Sequence, residues 1–466
     1  MADQRALAAF DLAQKNNLQL TLKNYIRYGK IDLPSDFFNN ISFRLYRDID
    51  GSIKHNFDIS TITSGYSVFY VSETGANGNN GTSEATPWQS LNYAIDTIEA
   101  NAGVTSAKII ILSSYLSRTK AQINAKNLTK NYCIEAKTGT SILATSEPGL
   151  TWTLDGTAYK ATRSGVGEVF DNKFKIEYGI PTKYTKVASK ALCDTTKGSW
   201  YTDNTSIWVN TLDSRVPDAD VFTCLDVTPL NPIINADVKF IMRNITVLNG
   251  CTAAALNIYS LSNIGHLILE NVKLLSGSKS TENVLSVKGI KYSWSFNSLC
   301  AYGGRDGFNY HSSIADVGSN TFVFEYKCIS FDNGLTDAVN FNNNAFTSHE
   351  GIRVLRIGCI GYNTKGPVCA DVNGCYSILM DCIMHDSRIN TGRSTKVAYF
   401  FDDSTATLAT APNGKALLIN CQGGGDVTWS ISGDDSFKNG KIQVLNFIGQ
   451  KIPSDMKINL LNEVTQ

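Results

Sequence analysis

The stretch that decides the fold is FYVSETGANGNNGTSEATPWQSLNYAIDTIEA, residues 69–100. It begins with strand-forming residues, continues with Gly, Asn and Thr, and ends in a helical pattern. We predict that Thr86 is the N-cap of this helix, that Pro87 is its first residue and that Gly103 stops it. Apolar residues recur at helical spacing and form one stripe, which contains Trp88, Leu91, Ile95 and Ile98. Almost no comparable helix follows, so we expect this one to cap the open end of a stack of β-strands.

Short repeats occupy the chain from about residue 237 onward. In one family of strands the second and fourth residues are apolar and the third and fifth are mostly polar, which predicts an inward and an outward face. The members of this family are ALNIY (255–259), VLSVK (284–288), GFNYH (307–311) and AVNFN (338–342). A second family places cysteines in register with Val272, namely Cys328, Cys359, Cys382 and Cys421. Repeats of about 23–31 residues without helical patterning predict a parallel β-helix, whose coils lie ~4.8 Å apart.

The predicted architecture is therefore all-β, a parallel β-helix with an N-terminal capping helix and a small β insertion. Residues 1–65 are predicted to form either a leader or attachment segment or an irregular arm packed on the main body. Residues 66–150 are predicted to form the capping helix and first coils. Residues 151–232 contain GSWYTDNTSIWVNTLDSRVPDAD (198–220), an aromatic hairpin that we interpret as part of the insertion. Its Trp and Tyr residues are expected to form a small core rather than a sugar-binding surface. Residues 233–466 are predicted to form the main β-helix and its C-terminal end.

Composition argues against several functions. Lys plus Arg and Asp plus Glu both number 42 in the 466 residues, so no field that attracts nucleic acid or membranes is expected. The first residues lack the apolar core of a signal peptide, and no later run approaches the length of a membrane span. The 11 cysteines form no CxxC pair, which argues against metal and redox motifs. Many lie in apolar runs, which is typical of buried free thiols in a protein made in a reducing cytoplasm.

Two regions of the chain carry a resemblance to known proteins. The opening stretch resembles the start of the solenoid in right-handed β-helix proteins of the pectate-lyase-like superfamily. The region from RDGFNYH (305–311) through HEGIRVLR (349–356) to GPVCADVNG (366–374) is similar to the β-helix domains of bacteriophage tailspikes and tail-fibre depolymerases. The resemblance covers roughly residues 66–440 and implies a right-handed parallel β-helix.

The same resemblance implies a function and a location. Proteins of this kind bind and cleave a bacterial surface polysaccharide, which is a capsule, an O-antigen or an exopolysaccharide. They are usually homotrimers that attach through the N-terminus to phage tail or baseplate proteins. We therefore expect a depolymerase of the virion tail, made in the host cytoplasm and acting at the bacterial surface, without a cofactor. No metal-ligand loop is recognisable, although clustered aspartates could hold a hard cation.

Acidic residues in the middle repeats are the candidate catalytic groups. If RDGFNYH and TDAVNFN align, Asp306 lies next to Asp337, and Asp371 belongs to a following coil. Glu350 is a further candidate acid. Neighbouring coils bring equivalent positions within ~5 Å and alternate coils within ~9.5 Å. Glycosidases need two carboxyl groups ~5–5.5 Å apart for retention or ~6.5–9.5 Å apart for inversion, so stacked acids suit either mechanism. The alternative is that each Asp only bonds the backbone of a turn.

Basic and aromatic residues nearby are candidate substrate-binding groups, namely His311, His349, Arg353, Arg356, Tyr302 and Tyr362. The histidines are expected to relay protons or bond sugar hydroxyls, unless they are inert surface residues. The arginines alternate with apolar residues, so at least one is expected to face outward, where it would pair with an acidic sugar or lie on a solvated strand face. The two tyrosines are expected to offer a stacking surface, whereas Tyr310 is expected to point inward.

Three functions remain open on the sequence. The leading hypothesis is endo-acting hydrolysis of glycosidic bonds by paired Asp and Glu carboxyl groups. A polysaccharide lyase on the same fold would instead use a base such as His311, with Arg356 neutralising a uronate. A receptor-binding tail protein without catalytic activity would hold the glycan in the same groove.

Overall fold

The computed structural model shows a parallel β-helix, as the sequence predicts. It describes residues 37–48, 50–250, 254–276, 282–312, 321–334, 343–388, 396–402, 414–433, 439–449, 452–454 and 456–460. In these residues three long sheets of twelve, ten and nine strands run along the coil, and each strand pairs in parallel with its equivalent in the neighbouring coil. No helix in the described ranges is long and apolar enough to cross a membrane.

Each complete coil contributes one strand to each of the three sheets. Sheet 1 contains Ser67–Val71, Ser106–Ile111, Asn131–Ala136, Lys239–Arg243, His266–Glu270, Tyr292–Phe296, Phe322–Tyr326, Arg353–Ile357, Tyr376–Met380, Lys415–Ile419, Asn439–Leu445 and Lys457–Leu460. Sheet 2 contains Tyr115–Leu116, Ser141–Ala144, Ile245–Leu248, Lys273–Leu275, Leu299–Ala301, Ile329–Phe331, Ile360–Thr364, Ile383–Ser387, Gln422–Gly424 and Ile448–Gly449. Sheet 3 contains Ile123–Leu128, Leu230–Ile234, Leu256–Tyr259, Leu285–Lys288, Phe308–His311, Phe346–Ser348, Cys369–Asp371, Val397–Phe401 and Trp429–Gly433.

Helices and smaller sheets lie outside the three long sheets. The helices are Ile59–Thr63, Leu91–Ala100, Arg118–Ala121 and Lys190–Thr195, with 3-10 turns at Phe37–Asn40 and Glu177–Gly179. An N-terminal antiparallel pair joins Leu45–Arg47 to Ile53–His55. Between the early coils and the later ones lie the strands Thr153–Asp155, Ala158–Thr162, Val166–Lys175, Pro181–Lys183, Thr185–Lys186, Ser199–Thr202, Ser206–Asn210 and Val221–Leu225, which form the insertion.

The helix of the opening stretch covers the end of the coil, but it begins later than predicted. It runs from Leu91 to Ala100, and its N-cap is Ser90, whose hydroxyl accepts a hydrogen bond from a backbone N–H in the first turn. Thr86 and Pro87 precede the helix because Trp88 forms a β-bridge with Val71 and so extends the chain at this point. The helix also ends before Gly103, at the C-cap Asn101. Its apolar stripe is buried in the main core, as a cap requires.

The predicted alternation in sheet 3 is confirmed for three strands of the first repeat family. Leu256, Leu285 and Phe308 are in register, and all three are buried inside the coil. The predicted fourth member, AVNFN (338–342), lies outside the described residues, and the described strand that pairs with Phe308–His311 is Phe346–Ser348. This strand places the polar Ser348 inward, where it contacts a buried arginine, so its sequence lacks the apolar alternation of its neighbours.

Cysteines line the interior where sheet 1 turns into sheet 2. The four members of the predicted column are buried in the main core together with the residue that continues the column in an earlier coil, and these are Val272, Cys328, Cys359, Cys382 and Cys421. The predicted register of the column is therefore confirmed. Burial raises the pKa of the Cys359 thiol well above its usual value, which keeps it protonated and unreactive.

Two of the three outer faces are covered by other parts of the chain. The N-terminal residues from Phe37 to Tyr66 pack on sheet 1, where Phe43 contacts Trp294 and Phe324. The insertion packs on sheet 2, where Phe170 and Phe222 join the apolar outer residues of that sheet. The predicted hairpin is present in the insertion, and its Trp200 is buried in a separate small core. Neither of these two layers covers the outer face of sheet 3.

Candidate active site

Two histidines stack on sheet 3 where its strands end. The pairing of Tyr310 with Ser348 makes His311 and His349 equivalent positions of neighbouring coils. Their ring centroids lie 4.0 Å apart and their planes differ by 6°. The His311 side chain is 36% exposed, so a molecule in solution can reach its ring.

A carboxylate fixes the orientation of the His311 ring. His311 donates from Nδ1 to the Glu350 carboxylate, at 2.9 Å to Oε1 and 3.2 Å to Oε2. The backbone N–H of Ser312 donates to the same carboxylate at 3.1 Å. Because Nδ1 carries the proton in this bond, Nε2 of a neutral His311 ring keeps its lone pair and can act as a base.

Glu350 occupies a strained position in the turn from sheet 3 to sheet 1. Its φ is 56°, in the left-handed region that non-glycine residues other than Asn and Asp rarely adopt. The equivalent residue of the next coil, Asn373, has a φ of 57° and is of the residue type that this conformation favours. Strain of this kind is typical of sites where a side chain is retained for its chemistry.

Asp306 lies beside this pair and is nearly buried, with 7% of its surface exposed. Oδ1 accepts a hydrogen bond from the backbone N–H of Asn344 at 2.7 Å, and Oδ2 accepts one from Nδ2 of Asn309 at 2.8 Å. Burial raises the pKa of Asp306 to about 6, although both hydrogen bonds act to lower it. A carboxyl group with such a pKa holds and releases a proton near neutral pH, as a general acid must.

Asn309 connects Asp306 to His349. Nδ2 of Asn309 lies 3.3 Å from Nε2 of His349, which accepts the hydrogen bond in the neutral ring. Burial, with a smaller effect from His311, holds the pKa of His349 well below its usual value. His349 is therefore neutral at physiological pH. A chain of contacts thus runs from Asp306 through the amide and the two stacked rings to Glu350.

Three buried polar atoms around this cluster have no hydrogen-bond partner among the described residues. They are Oδ1 of Asn309, Oγ of Ser312 and Oδ1 of Asn343. Buried polar atoms are nearly always paired with protein, water or ligand, because an unpaired one costs about 1–3 kcal/mol. All three atoms are enclosed by protein, so they do not mark a surface that a ligand contacts.

The donor atoms of His311, His349 and Glu350 lie within 4.8 Å of one another, which is close enough for a metal ion. The ring geometry does not suit one. A metal lies in the plane of each imidazole that ligates it, whereas these two planes are parallel and stacked. One ring would have to rotate before both could bind the same ion. The stacked arrangement suits proton transfer better than ligation of a metal ion.

The sequence placed Asp337 next to Asp306, and this part of the prediction is not supported. Asp337 lies outside the described residues. The predicted alignment is wrong, because the strand register puts Asn344 at the position equivalent to Asp306. The described candidates Asp306, His311, His349 and Glu350 nevertheless come together.

Asp371 and Arg356 were candidates for catalysis and substrate binding, and the structure places both inside the coil. Both side chains are 0% exposed. Nη1 of Arg356 lies 2.6 Å from Oδ2 of Asp371, and Nε lies 2.5 Å from Oε2 of Glu325. Tyr310, which points inward as predicted, donates to Glu325. These residues form a buried ionic network that substrate does not reach.

The remaining substrate-binding candidates lie on other sheets. Arg353 is partly exposed on the outer side of sheet 1, in register with Phe322. Tyr302 is buried on the outer side of sheet 2, where its ring contacts Phe170 of the insertion. Tyr362 stacks between Phe331 and His385 on the same sheet. None of the three joins the cluster on sheet 3.

Some residues of the cluster carried no clear prediction. Asn309 was expected only to be a polar outward residue of its strand, but it links Asp306 to His349. Asn344 and Ser312 contribute backbone N–H groups, and any residue except proline can do this, so residue type could not reveal them.

Fold and geometry define a parallel β-helix protein with a recessed acid–histidine cluster on one outer face. No protein-family model matches the chain, and a search of curated protein sequences gives no significant match. Among solved structures, the chain is similar to one described as a glycoside hydrolase. The identity is 8%, the match covers 84% of this chain and 99% of that one, and the TM-score is 0.51.

Two further solved structures are more distant. A complex of XylC with xylose matches at 9% identity over 83% of this chain and 70% of that chain, with a TM-score of 0.44. The tailspike protein gp49 from Pseudomonas phage LKA1 matches at 11% identity over 79% and 67%, with a TM-score of 0.24. At these sequence identities the similarity shows a shared fold alone.

Proposed function

We propose that the protein cleaves a bacterial surface polysaccharide at the cluster on sheet 3, by hydrolysis of a glycosidic bond inside the polymer. The observation that carries this proposal is the pairing of a nearly buried carboxyl group, Asp306, with a partly exposed carboxylate–histidine pair, Glu350 and His311.

Each acid has a distinct role in the proposed reaction. Asp306, whose pKa is about 6, gives its proton to the oxygen of the leaving sugar. Glu350 acts on the other side of the bond, either by taking a proton from water together with His311 or by attacking the sugar carbon itself. The anomeric configuration of the first product distinguishes these two paths, because the first inverts it and the second retains it.

Purified protein incubated with a panel of capsules, O-antigens and exopolysaccharides tests the proposal. We expect one polymer to be cut into oligosaccharides whose masses include one added water per cleaved bond. Unsaturated products of unchanged total mass would show a lyase instead. Binding of a polymer without any fragments after long incubation would show a receptor-binding protein and contradict the proposed catalysis.

A lyase is the second candidate, and one specific contact favours it. Lys288 is exposed on sheet 3 directly beside His311 in the strand register. A cation next to a histidine base is what abstraction of a proton beside a uronate carboxylate needs. The cation predicted from the sequence, Arg356, is buried in an ion pair and does not serve. Lys288→Met should abolish lyase activity and leave hydrolysis largely intact.

We further propose that the protein is a tailspike-type component of a phage virion and acts as a homotrimer, attached to tail or baseplate proteins by its N-terminal segment. The support is the resemblance of residues 305–374 to tailspike β-helices. Sedimentation equilibrium of the full chain should give three times the chain mass. Antibodies to the chain should label virion tails in electron micrographs, and labelling of no virion structure would contradict the location.

A further inference from the structure

The boundary between the insertion and the coil contains a cavity of about 280 Å³, far along the chain from the acid–histidine cluster. Two segments form it, the loop of residues 146–152 and residues 217–223, which lead into the strand Val221–Leu225. Tyr115 of sheet 2 and Trp152 contribute partly exposed aromatic rings. Phe222 packs edge-on against Tyr115, with ring centroids 6.1 Å apart, and holds that ring in place. Aromatic rings therefore form part of the cavity wall.

Two carboxylates lie among the same lining residues. Glu147 accepts a hydrogen bond from Nε of Arg118 at 2.7 Å through Oε1, which leaves Oε2 for another partner. Asp218 is held by Nε of Arg215 at 3.0 Å and by the backbone N–H of Asp220. An arginine therefore pairs with each carboxylate and restricts its orientation.

This combination identifies a class of ligand. The carbon-bound hydrogens of a sugar ring form an apolar face that packs on an aromatic ring such as that of Trp152. Carboxylates accept hydrogen bonds from sugar hydroxyls but repel another carboxylate. The volume lies just below the ~300–1,000 Å³ of sites for drug-sized molecules, which fits a single sugar unit.

We infer that this cavity binds one neutral sugar unit of a glycan and is a second carbohydrate site, separate from the cluster on sheet 3. Trp152 stacks on the ring, and Glu147 and Asp218 accept hydrogen bonds from its hydroxyls. The inference does not require the cluster to be catalytic. Such a site would hold one part of a polysaccharide while another part of the same polysaccharide is cleaved. This increases the local concentration of glycosidic bonds near the cluster on sheet 3.

Saturation-transfer NMR of the full chain tests this inference with methyl glycosides of glucose, galactose, mannose and N-acetylglucosamine, and with methyl glucuronide as the acidic probe. We expect at least one neutral glycoside to bind. Trp152→Ala should weaken that binding roughly tenfold or more, since it removes the stacking surface. Glu147→Gln should weaken it less, because the amide still accepts one hydrogen bond.

Leu154→Ala is the matched control, because Leu154 is 63% exposed on the same insertion and does not line the cavity. Its binding should equal that of the unaltered chain. Binding should also persist in the Glu350→Gln variant, which separates this site from the one on sheet 3. Binding of no neutral glycoside, binding that survives Trp152→Ala, or preference for the glucuronide would each overturn the inference.

Discussion

Asp306 and Glu350 are acids in different surroundings. Asp306 is nearly buried and accepts hydrogen bonds from an amide and a backbone N–H. Glu350 stays partly exposed, at 21%, and accepts from His311. Burial favours the neutral form of a carboxyl group, so one outer face holds an acid that keeps its proton up to a pH of about 6, close to a carboxylate–histidine pair. Two groups of one chemical kind can then act as acid and base at the same pH.

The pKa of Asp306 makes stability depend on pH. Its value rises from 3.8 to about 6 on folding, so between these values the folded protein holds a proton that the unfolded chain has released. Stability contributed by this group is therefore present below pH 3.8 and is lost as pH rises toward 6. Asp306→Asn removes the cost of burying an ionised carboxylate. The free energy of unfolding of this variant should therefore exceed that of the unaltered chain by up to about 3 kcal/mol above pH 6.

Urea titrations of both proteins across this pH range measure the difference. It should be smallest in acid and grow as pH rises. Activity of Asp306→Asn should fall about 10²-fold or more, because the amide gives no proton. A variant that is fully active, or a stability difference that does not change with pH, would contradict the assignment of Asp306 as the proton donor.

Glu350 offers a test that separates chemistry from folding. Asn occupies the equivalent turn position of the next coil with the same φ, so Glu350→Asn should keep the turn. Relief of the left-handed strain, about 1 kcal/mol, should offset the lost hydrogen bonds to His311 and Ser312. We expect a thermal midpoint within a few degrees of the unaltered chain and activity lower by about 10²-fold or more. Asn373→Asp is the control at the matched turn and should remain active.

The four described residues of the cluster could be proposed from the sequence because rare histidines and acids lie near predicted strand ends. Their arrangement could not be derived. The hydrogen bond from Asn344 to Asp306 spans 38 residues, whereas the sequence alignment assumed a repeat with 31. A loop of unknown length between two strands leaves the register undetermined unless the inward pattern is clear. In this coil the inward pattern is unclear, because the inward residues Ser348 and Asp371 are polar.

At the scale of the strands, a buried ionic network replaces part of the apolar interior. Ser348 and Asp371 take inward positions that hold apolar residues in earlier coils, and both bond Arg356. Glu325 of the preceding strand completes the network. The strands that the sequence identified easily are those with apolar inward residues. Those it misread surround this arginine, because polar residues at inward positions look like outward ones.

Removing the arginine should be costly for folding. Arg356→Met leaves Glu325 and Asp371 buried without their cation, so the free energy of unfolding should fall by about 3–5 kcal/mol. Arg353→Met is the matched control, from the same strand and the opposite face, and should cost less than about 1 kcal/mol. Urea denaturation compares the two variants. Equal effects would contradict the buried network.

Asp371 then differs from Glu350 in how its loss acts. Asp371→Asn should reduce activity only as far as it reduces the folded fraction, because its side chain does not reach substrate. Activity measured per folded molecule should therefore be close to that of the unaltered chain. A specific loss of activity in a stable Asp371→Asn variant would restore it as a catalytic candidate.

At the scale of the molecule, each sheet has one outer face, and the three faces differ in which segment of the chain covers them. Apolar outer residues of sheet 1 are covered by residues from Phe37 to Tyr66, and those of sheet 2 by the insertion. On sheet 3 the outer residues Ser286, Lys288 and Asn309 are polar, and this part of the sheet carries the acid–histidine cluster. Further along the same sheet, Ala370, Val397 and Phe400 form a small apolar cluster. The coil, its cap and its insertion followed from the sequence, because they depend on short-range patterns. Which face each added segment covers did not, because packing between distant segments leaves no local pattern.

This division of faces predicts where a long glycan protects the backbone. Glu350→Gln keeps the shape of the side chain but should be too slow to cleave bound polymer, so hydrogen exchange can be measured with the intact polysaccharide present. Slower exchange is expected at residues 305–312 and 343–351, whose backbone surrounds the cluster. Hydrogen exchange in the strands of sheet 1 should not change, because Phe43 and its neighbours already cover the outer face of that sheet.

Protection at residues 146–152 should disappear in the Trp152→Ala, Glu350→Gln double variant, while protection on sheet 3 remains. Protection confined to sheet 1 or sheet 2 would contradict the proposal that the polysaccharide is cleaved on sheet 3.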